Sequence, residues 1–545
     1  MNGAGAPGPE EPLLEVDEIQ GNVLPGFMKP TLALCALQIE DAQLAKAWIR
    51  EIAGAITALS ETLESRKRVR ALRTYEPLAE GTLGAVPEQV DDAWANISFS
   101  CTGLEKLLAG GAYEGDLERF EDPGFRAGMA ARSSLLGDPT DPNAEGNAAN
   151  WIVGGPDEEI DVLLCIGADN AARGQQLMED LRGTPEGSGM VTVYQQEGEK
   201  LDQIGSEQFG FQDGVSQPGV RGLTAPGEYL TPRPIASSAI PESWIYGLPG
   251  QLLTWPGDYV FGYPSSGPDP RLPGPLATVG PQAPDWTRNG SYFVFRRFRQ
   301  DVAGFWAFLA EQAEELSQRQ PGFAGWDAER LGAAVVGRWK SGAPLARSPE
   351  ADDPSLGTNR LANNDFGFAA PSVQLPLEGG GTTPPFPLAQ GDPIGATCPM
   401  AAHIRKVNAR TAGDDMGGRQ PSFQRRILRR GLPWGPKLEN PEEPDPAEGQ
   451  RGLLFLSYQA SIARQFEFLS NSWMGSDTNP RSPSGFDLLV GQNGEPGQGG
   501  KRHAILFGKN FEVGEVVAND IFVIPTGGGY YFTPSISALR EVISA

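Results

Sequence analysis

The feature that most limits how this 545-residue chain can fold is a set of short apolar runs of β character, each followed by a helix with one apolar face. The pattern is laid out twice. In the first half, Thr31-Leu-Ala-Leu-Cys-Ala-Leu-Gln-Ile39 reads as a buried strand and residues 42–53 as a helix. Ala95-Asn-Ile-Ser-Phe-Ser-Cys101 reads as a second strand, leading into a helix around Leu104 to Leu108. Strands over 160–166 and 191–194 bracket a further helix over 171–182. In the second half, a strand over 290–297 feeds a helix over 302–318, and a strand over 452–458 feeds a helix over 462–469. Runs over 516–525 and 529–533 close the set.

Such strand–helix units at antiparallel-compatible spacing predict an α+β fold of two ferredoxin-like domains, with antiparallel sheets and peripheral helices. The length agrees, because a single core stops growing before this size. The expected organisation is a loose tail over 1–18, an N-terminal domain over 19–224, a Pro/Gly-rich connection over 225–282 and a C-terminal domain over 283–545. A loop insertion is expected near 343–393. Seventy glycines and 48 prolines suit long irregular connections. No tight sequence repeat accompanies the pattern, so a duplication is inferred from element order alone.

Composition removes several function classes. A net charge of −25 disfavours a nucleic-acid partner. The four cysteines (Cys35, Cys101, Cys165 and Cys398) are far apart and mostly inside apolar runs, without CxxC or CxxCH spacing. Zinc ribbons, redox motifs and covalently attached haem are therefore not expected, and the thiols should be buried and free. The opening residues are small, acidic and Pro-rich, and no apolar run nears the roughly 18 residues that span a bilayer. A cytoplasmic monomer or homodimer without membrane contact is the expectation, with secretion from a longer precursor left open.

Only two histidines occur, so any imidazole chemistry runs through His403 or His503. His503 follows the Gly-rich stretch Gly497-Gln-Gly-Gly-Lys-Arg, where an exposed histidine is ordinary. His403 instead opens a stretch holding Arg405, Lys406, Arg410, Arg419, Arg425, Arg426, Arg429 and Arg430. In a chain this acidic, that is a local reversal of sign and implies a strong anion. One histidine among arginines suits haem, with iron on the imidazole and propionates on guanidinium groups. Arg425 and Arg426 are expected as plain surface charge, and Arg430 to point away from Arg429, its neighbour on an extended segment.

Three separated segments then narrow the reading. They are Glu207-Gln-Phe-Gly-Phe-Gln-Asp213-Gly-Val-Ser-Gln-Pro218, with a GxxDG pattern; Ala402-His403-Ile-Arg-Lys-Val-Asn-Ala-Arg410; and Arg425-Arg-Ile-Leu-Arg429-Arg-Gly-Leu-Pro-Trp-Gly435. In this order they resemble the dye-decolorizing peroxidases, and Ile19–Leu24, Asn289–Phe298 and Gly527–Phe532 extend the resemblance over nearly the whole chain. Ala409 departs from the family's usual Asn-Pro-Arg, which only softens a turn. The length and large loops resemble the family's insertion-rich branch.

The resemblance implies one haem b per chain, held between sheet and helix of the C-terminal domain. It also implies reduction of hydrogen peroxide through a ferryl intermediate and oxidation of bulky phenolic or dye-type donors. It maps His403 onto the proximal iron ligand, Asp213 onto the distal acid and Arg429 onto the distal arginine. Asp520 falls at the place of the acid that accepts the imidazole N–H. Arg410, with Arg405 behind it, would pair the propionates. Gly214, Ser216, Leu453 and Phe455 would border the cofactor. Trp434 and Trp473 would be surface radical sites for donors too large to reach the iron. Two other readings stand beside this one: a haem-handling protein for transport or iron release, and a thiolate-ligated oxygenase through Cys398.

Overall fold

A computed structural model describes residues 9–79, 91–237, 243–267, 283–410, 423–440, 449–479, 484–493 and 500–545. Arg419 lies outside them. Its centre is one antiparallel sheet. The N-terminal half supplies β1 (Thr31–Ile39), β2 (Ala93–Phe99), β3 (Val162–Ala168) and β4 (Met190–Glu199). The C-terminal half supplies β5 (Ser291–Gln300), β6 (Leu428–Arg429), β7 (Leu432–Trp434) and β8 (Gly452–Gln459). A hairpin of β9 (Arg502–Phe507) and β10 (Val513–Ala518) stands apart, and β11 (Val523–Thr533) returns to the sheet.

Across the sheet the order is β6-β8-β5-β11-β2-β3-β1-β4, with β7 also on β8. Each half therefore has its fourth strand beside its first, then its third, then its second, which is the ferredoxin-like order. The halves join where Phe532 of β11 pairs with Phe99 of β2. At the opposite edges Gly198 of β4 lies against Pro433 and Leu432 of β7, close enough that a Cβ there would meet the Pro433 carbonyl at 2.9 Å. The sheet thus curls towards a barrel.

Local sequence explains the main helices. α1 (Ala42–Ile52) starts at Asp41, whose carboxylate accepts from the Gln43 and Leu44 N–H groups, and buries Ala45, Trp48, Ile49 and Ile52 on one stripe. Asp301 caps α2 (Val302–Arg319) in the same way through Gly304 N–H, and Val302, Phe305, Leu309, Ala313 and Leu316 turn inward. β3 is buried at every residue, as its unbroken apolar run implies. The four cysteines are buried and free.

Several expectations shift. The 516–525 run is not one strand: it breaks at Asn519-Asp520, the first part joining the β9–β10 hairpin and the second opening β11. His503 sits in β9 opposite Val517 and edge-on to Phe486, not in an open turn. Residues 462–474, read as an ordinary helix in part, are wound mainly as π-type turns at Ile462–Phe466 and Leu469–Met474. Part of the 1–18 tail is tied down, because Glu11 pairs with the buried Arg221. The 225–282 connection contributes Trp255 and Tyr259 to the interior, so it is more than a spacer. In the 343–393 insertion, the buried Arg347 donates to the carbonyls of Ala362 and Pro387.

Candidate active site

Register places the site. Leu453 and Phe455 of β8 pair with Phe298 and Arg296 of β5, so these alternate residues share one sheet face. They form one wall of a deep cavity. The opposite wall is the short helix α3 (His403–Lys406) with Phe466, Leu469 and Met474 from the π-type turns. The loop from Glu207 to Pro218 closes a third side, carrying Asp213, Gly214 and Ser216, and Arg429 enters from β6.

His403 directs its ring at this space, and its Nδ1 lies 2.7 Å from Asp487 Oδ2. The Asp487 side chain is fully covered, and its other oxygen accepts from the Leu489 and Val490 N–H groups at 3.0 and 3.1 Å. Burial pushes the Asp487 carboxyl up, but the adjacent imidazole and the two amides outweigh it and hold it below the usual range. An ionised acceptor here fixes the proton on Nδ1, so Nε2 keeps a lone pair for an electrophile in the cavity. Asp487 thus fills the role expected of Asp520. Asp520 is exposed at the turn between β10 and β11, where its backbone carbonyl accepts from Arg502. No sequence signal marks Asp487; folding alone brings it to a histidine 84 positions away.

In the same cavity, Arg429 Nη1 donates to Asp213 Oδ1 at 2.6 Å and Nη2 to the Ser216 carbonyl at 3.2 Å. The Gly214 N–H donates to the same Asp213 oxygen at 2.6 Å. About a third of the Asp213 side chain, 35 %, is uncovered, and it lines the cavity. Burial raises its carboxyl; the Arg429 charge and the Gly214 amide overcome that, and the group lies below the ordinary carboxylate range. A second carboxyl, Glu207, also lines the cavity and accepts from the Phe209 and Phe211 N–H groups at 3.0 Å each. Burial lifts it to about 7.

The cations sort themselves differently from their order in the chain. Arg410 lines the cavity as expected, but so do Arg426, which the sequence suggests as surface charge, and Arg338, which lies far upstream. Arg410 donates to the carbonyls of Asn364 and Phe366, and shares the Asn364 side chain with Arg338. Burial depresses the guanidinium of Arg410, and Arg338 and Arg426 depress it further by repulsion. The Nε atoms of Arg410 and Arg426 are buried without a partner. Arg405 does not reach this group: it turns away from the cavity to Asp392 and the Cys398 carbonyl, at 3.1 and 2.9 Å. Arg425 lies over the Phe468 ring, Lys406 donates to Ser476 and Ser484, and Arg430 points away to the Asn22 and Val23 carbonyls.

Neither tryptophan is a surface residue. Trp473 is wholly buried, its indole N–H without a partner. Trp434 is 6 % exposed, stacked under Arg297 at 3.9 Å, and donates to the Phe298 carbonyl. One edge of Trp434 borders a separate cleft between β4 and β7. Burial pushes the Cys398 thiol up to about 12, so it is no thiolate, and it does not line the cavity.

This donor set fits a planar apolar macrocycle carrying carboxylates and a ligand-seeking metal. An imidazole nitrogen is presented from one side, aliphatic and aromatic walls flank it, and crowded cations with unpartnered Nε atoms want anions.

Comparison with known proteins agrees. Residues 18–200 match the family described as "DyP dimeric alpha+beta barrel domain", and residues 324–485 match "Dyp-type peroxidase, C-terminal". "Dye-decolorizing peroxidase msp1" of Mycetinis scorodonius is 29 % identical over 543 residues, covering 97 % of this chain and 88 % of the relative. Among solved structures, an ancestral D-type dye-decolorizing peroxidase superposes with a TM-score of 0.73 at 28 % identity, covering 98 % of this chain and all of the other. A dye-decolorizing peroxidase in complex with 2,6-dimethoxyphenol gives 0.68 at 27 %, with the same coverage. Family and relatives define a peroxidase-type oxidoreductase. The chain belongs to the dye-decolorizing peroxidase family.

Proposed function

We propose that this protein holds one haem b on His403 and uses it to reduce hydrogen peroxide while oxidising bulky phenolic or dye-type donors. The observation that carries the reading is a carboxylate-backed imidazole and a carboxylate–guanidinium pair lining one cavity. Bound haem would supply the iron and the redox equivalents; the residues supply the rest.

Asp487, by keeping its negative charge on the Nδ1 proton, makes His403 a more basic ligand. Arg410, Arg426 and Arg338 would pair the propionates. Leu453 and Phe455 exclude water from the reaction space. Asp213, ionised at neutral pH, takes a proton from the near oxygen of peroxide and returns it to the far oxygen, which leaves as water. Arg429 faces the charge that develops as the O–O bond breaks, and is already oriented by Asp213 and the Ser216 carbonyl. Gly214, through its N–H on Asp213, and Ser216, through its carbonyl on Arg429, would hold the acid and the guanidinium beside the bound cofactor.

A donor too large for the cavity would be oxidised at the protein surface, outside the cavity. Trp434 is the better exit for charge, since it borders an outside cleft and bonds to Phe298, which lines the cavity. Trp473, wholly buried, supports the wall. Haem transport or iron release without peroxide chemistry gives the Asp213–Arg429 pair no task.

The test is haem-loaded protein assayed for peroxide-dependent oxidation of 2,6-dimethoxyphenol and of an anthraquinone dye. Both should proceed. Stoichiometric haem binding without peroxide consumption would replace this reading with the haem-handling one.

A further inference from the structure

Arg429 lies on β6, the edge strand of the sheet. Leu428 and Arg429 pair with Tyr458 and Ser457 of β8, and the Arg430 N–H donates to the Leu456 carbonyl. In an antiparallel ladder successive residues turn their backbone groups to opposite sides. The N–H and C=O of Arg429 therefore face away from the sheet, where no further strand follows. Gln217 meets them both. Its Nε2 donates to the Arg429 carbonyl at 3.1 Å, and the Arg429 N–H donates to its Oε1 at 3.3 Å. A side-chain amide places a donor and an acceptor on one plane, so it can imitate the edge of a missing strand.

Gln217 is itself held. Its backbone carbonyl accepts from Gln251 Nε2 at 2.9 Å, and Gln251 Oε1 accepts from the Leu248 N–H at 3.1 Å. Just beyond, Gly219 and Val220 pair in parallel with Leu253 and Thr254, which keeps the two segments side by side. The same turn presents the Gly250 carbonyl to Arg410 at 3.3 Å. A piece of the 225–282 connection thus touches Arg410 through Gly250 and, through Gln251, the glutamine that meets the Arg429 backbone.

We propose that Gln217 is the positioning residue of Arg429 and that Gln251, on the 247–251 turn, sets Gln217 in place. Resting on the reading of Arg429 given above, the inference assigns the connection a part in the peroxide reaction. Both glutamines border the cavity, but their amides are spent on the backbones of Arg429 and Gln217. Together they fix the backbone from which the guanidinium reaches Asp213, and a guanidinium displaced by about 1 Å can cost up to 100-fold in rate.

The experiment uses haem-loaded wild type, Gln217→Met, Gln251→Met and Arg429→Leu. Gln217→Met should slow the reaction with peroxide by about ten-fold and weaken fluoride binding, read by absorbance at equilibrium, by a comparable factor. The acid limb of the rate–pH profile should move upward, because a displaced Arg429 lowers the Asp213 carboxyl less. Gln251→Met should move all three in the same direction by less. A purely structural role would lower thermal stability and leave fluoride affinity and the acid limb in place; that result overturns the proposal. If Gln217→Met does not fold, Gln251→Met decides it, and wild-type fluoride affinity with an unmoved acid limb is again the overturning outcome. Arg429→Leu separates the two levels. If it too reacts at the wild-type rate, the reading of Arg429 has failed; if it alone is slow, only the positioning role has.

Discussion

Replacing Arg429 by leucine removes the cation that, among the described residues, pairs with Asp213. At about 4 Å and an effective dielectric near 20, a unit charge is worth about 4 kcal/mol to an opposite charge forming beside it. The Arg429 side chain is 28 % exposed towards the cavity mouth, so water screens part of this. About half, or ~2 kcal/mol, is the expected loss of transition-state stabilisation, which is about 30-fold in rate. The assay is stopped-flow decay of the haem absorption band under excess peroxide, giving a second-order rate constant. Asp213→Asn should cost less, because water can in part replace a proton carrier, whereas nothing replaces the fixed charge. A rate in Arg429→Leu within two-fold of wild type would refute the electrostatic role.

Three further outcomes are expected. Asp487→Asn keeps an acceptor for the His403 N–H but removes the charge, and should lower activity by about 10–100-fold while Asp520→Asn changes nothing, both read from peroxide rate constants. The Asp213 carboxyl lies below its ordinary value, near 3.9 for a free aspartate, so its basic form persists as pH falls. The peroxide rate should stay level from neutral to about pH 4 and drop only below, while the stability that Asp213 adds through Arg429 is likewise present above that range and lost as pH falls through the depressed value. Trp434→Phe should depress turnover of a bulky dye and leave the peroxide step unchanged; Trp473→Phe should leave both in place, and equal dye turnover in the two variants would return Trp434 to packing.

The fold was legible where a strand is apolar on both faces, as at 31–39, and where a helix carries its own cap, as Asn170 does for 171–182. Residues 31–39 and 171–182 match the structure end to end, since nothing outside the segment competes with that pattern. The 516–525 run misleads because two apolar stretches flank Asn519-Asp520, a polar pair at which the backbone turns and leaves one sheet for the other. At the site, sequence brings forward His403, Asp213, Arg429 and Arg410, each inside a dense local motif. It misses Asp487, Arg338, Arg426 and Gln217, whose relevance depends on partners far away in the chain. The run of positive charge after His403 overstates the anion site: Arg405, Lys406 and Arg430 are consumed by Asp392 and by backbone carbonyls, and a one-dimensional count cannot tell a cation facing a cavity from one bracing a loop.

The central claim is that His403 holds the iron and that Asp213 and Arg429 work across the cavity from it. The most direct test is the absorption spectrum of His403→Ala beside wild type after haem loading, each before and after one equivalent of hydrogen peroxide. Wild type should show a Soret band at one haem per chain that changes within the mixing time, and His403→Ala should lose the haem or hold it loosely without that response. Full haem content with an unchanged Soret band in His403→Ala would contradict the account.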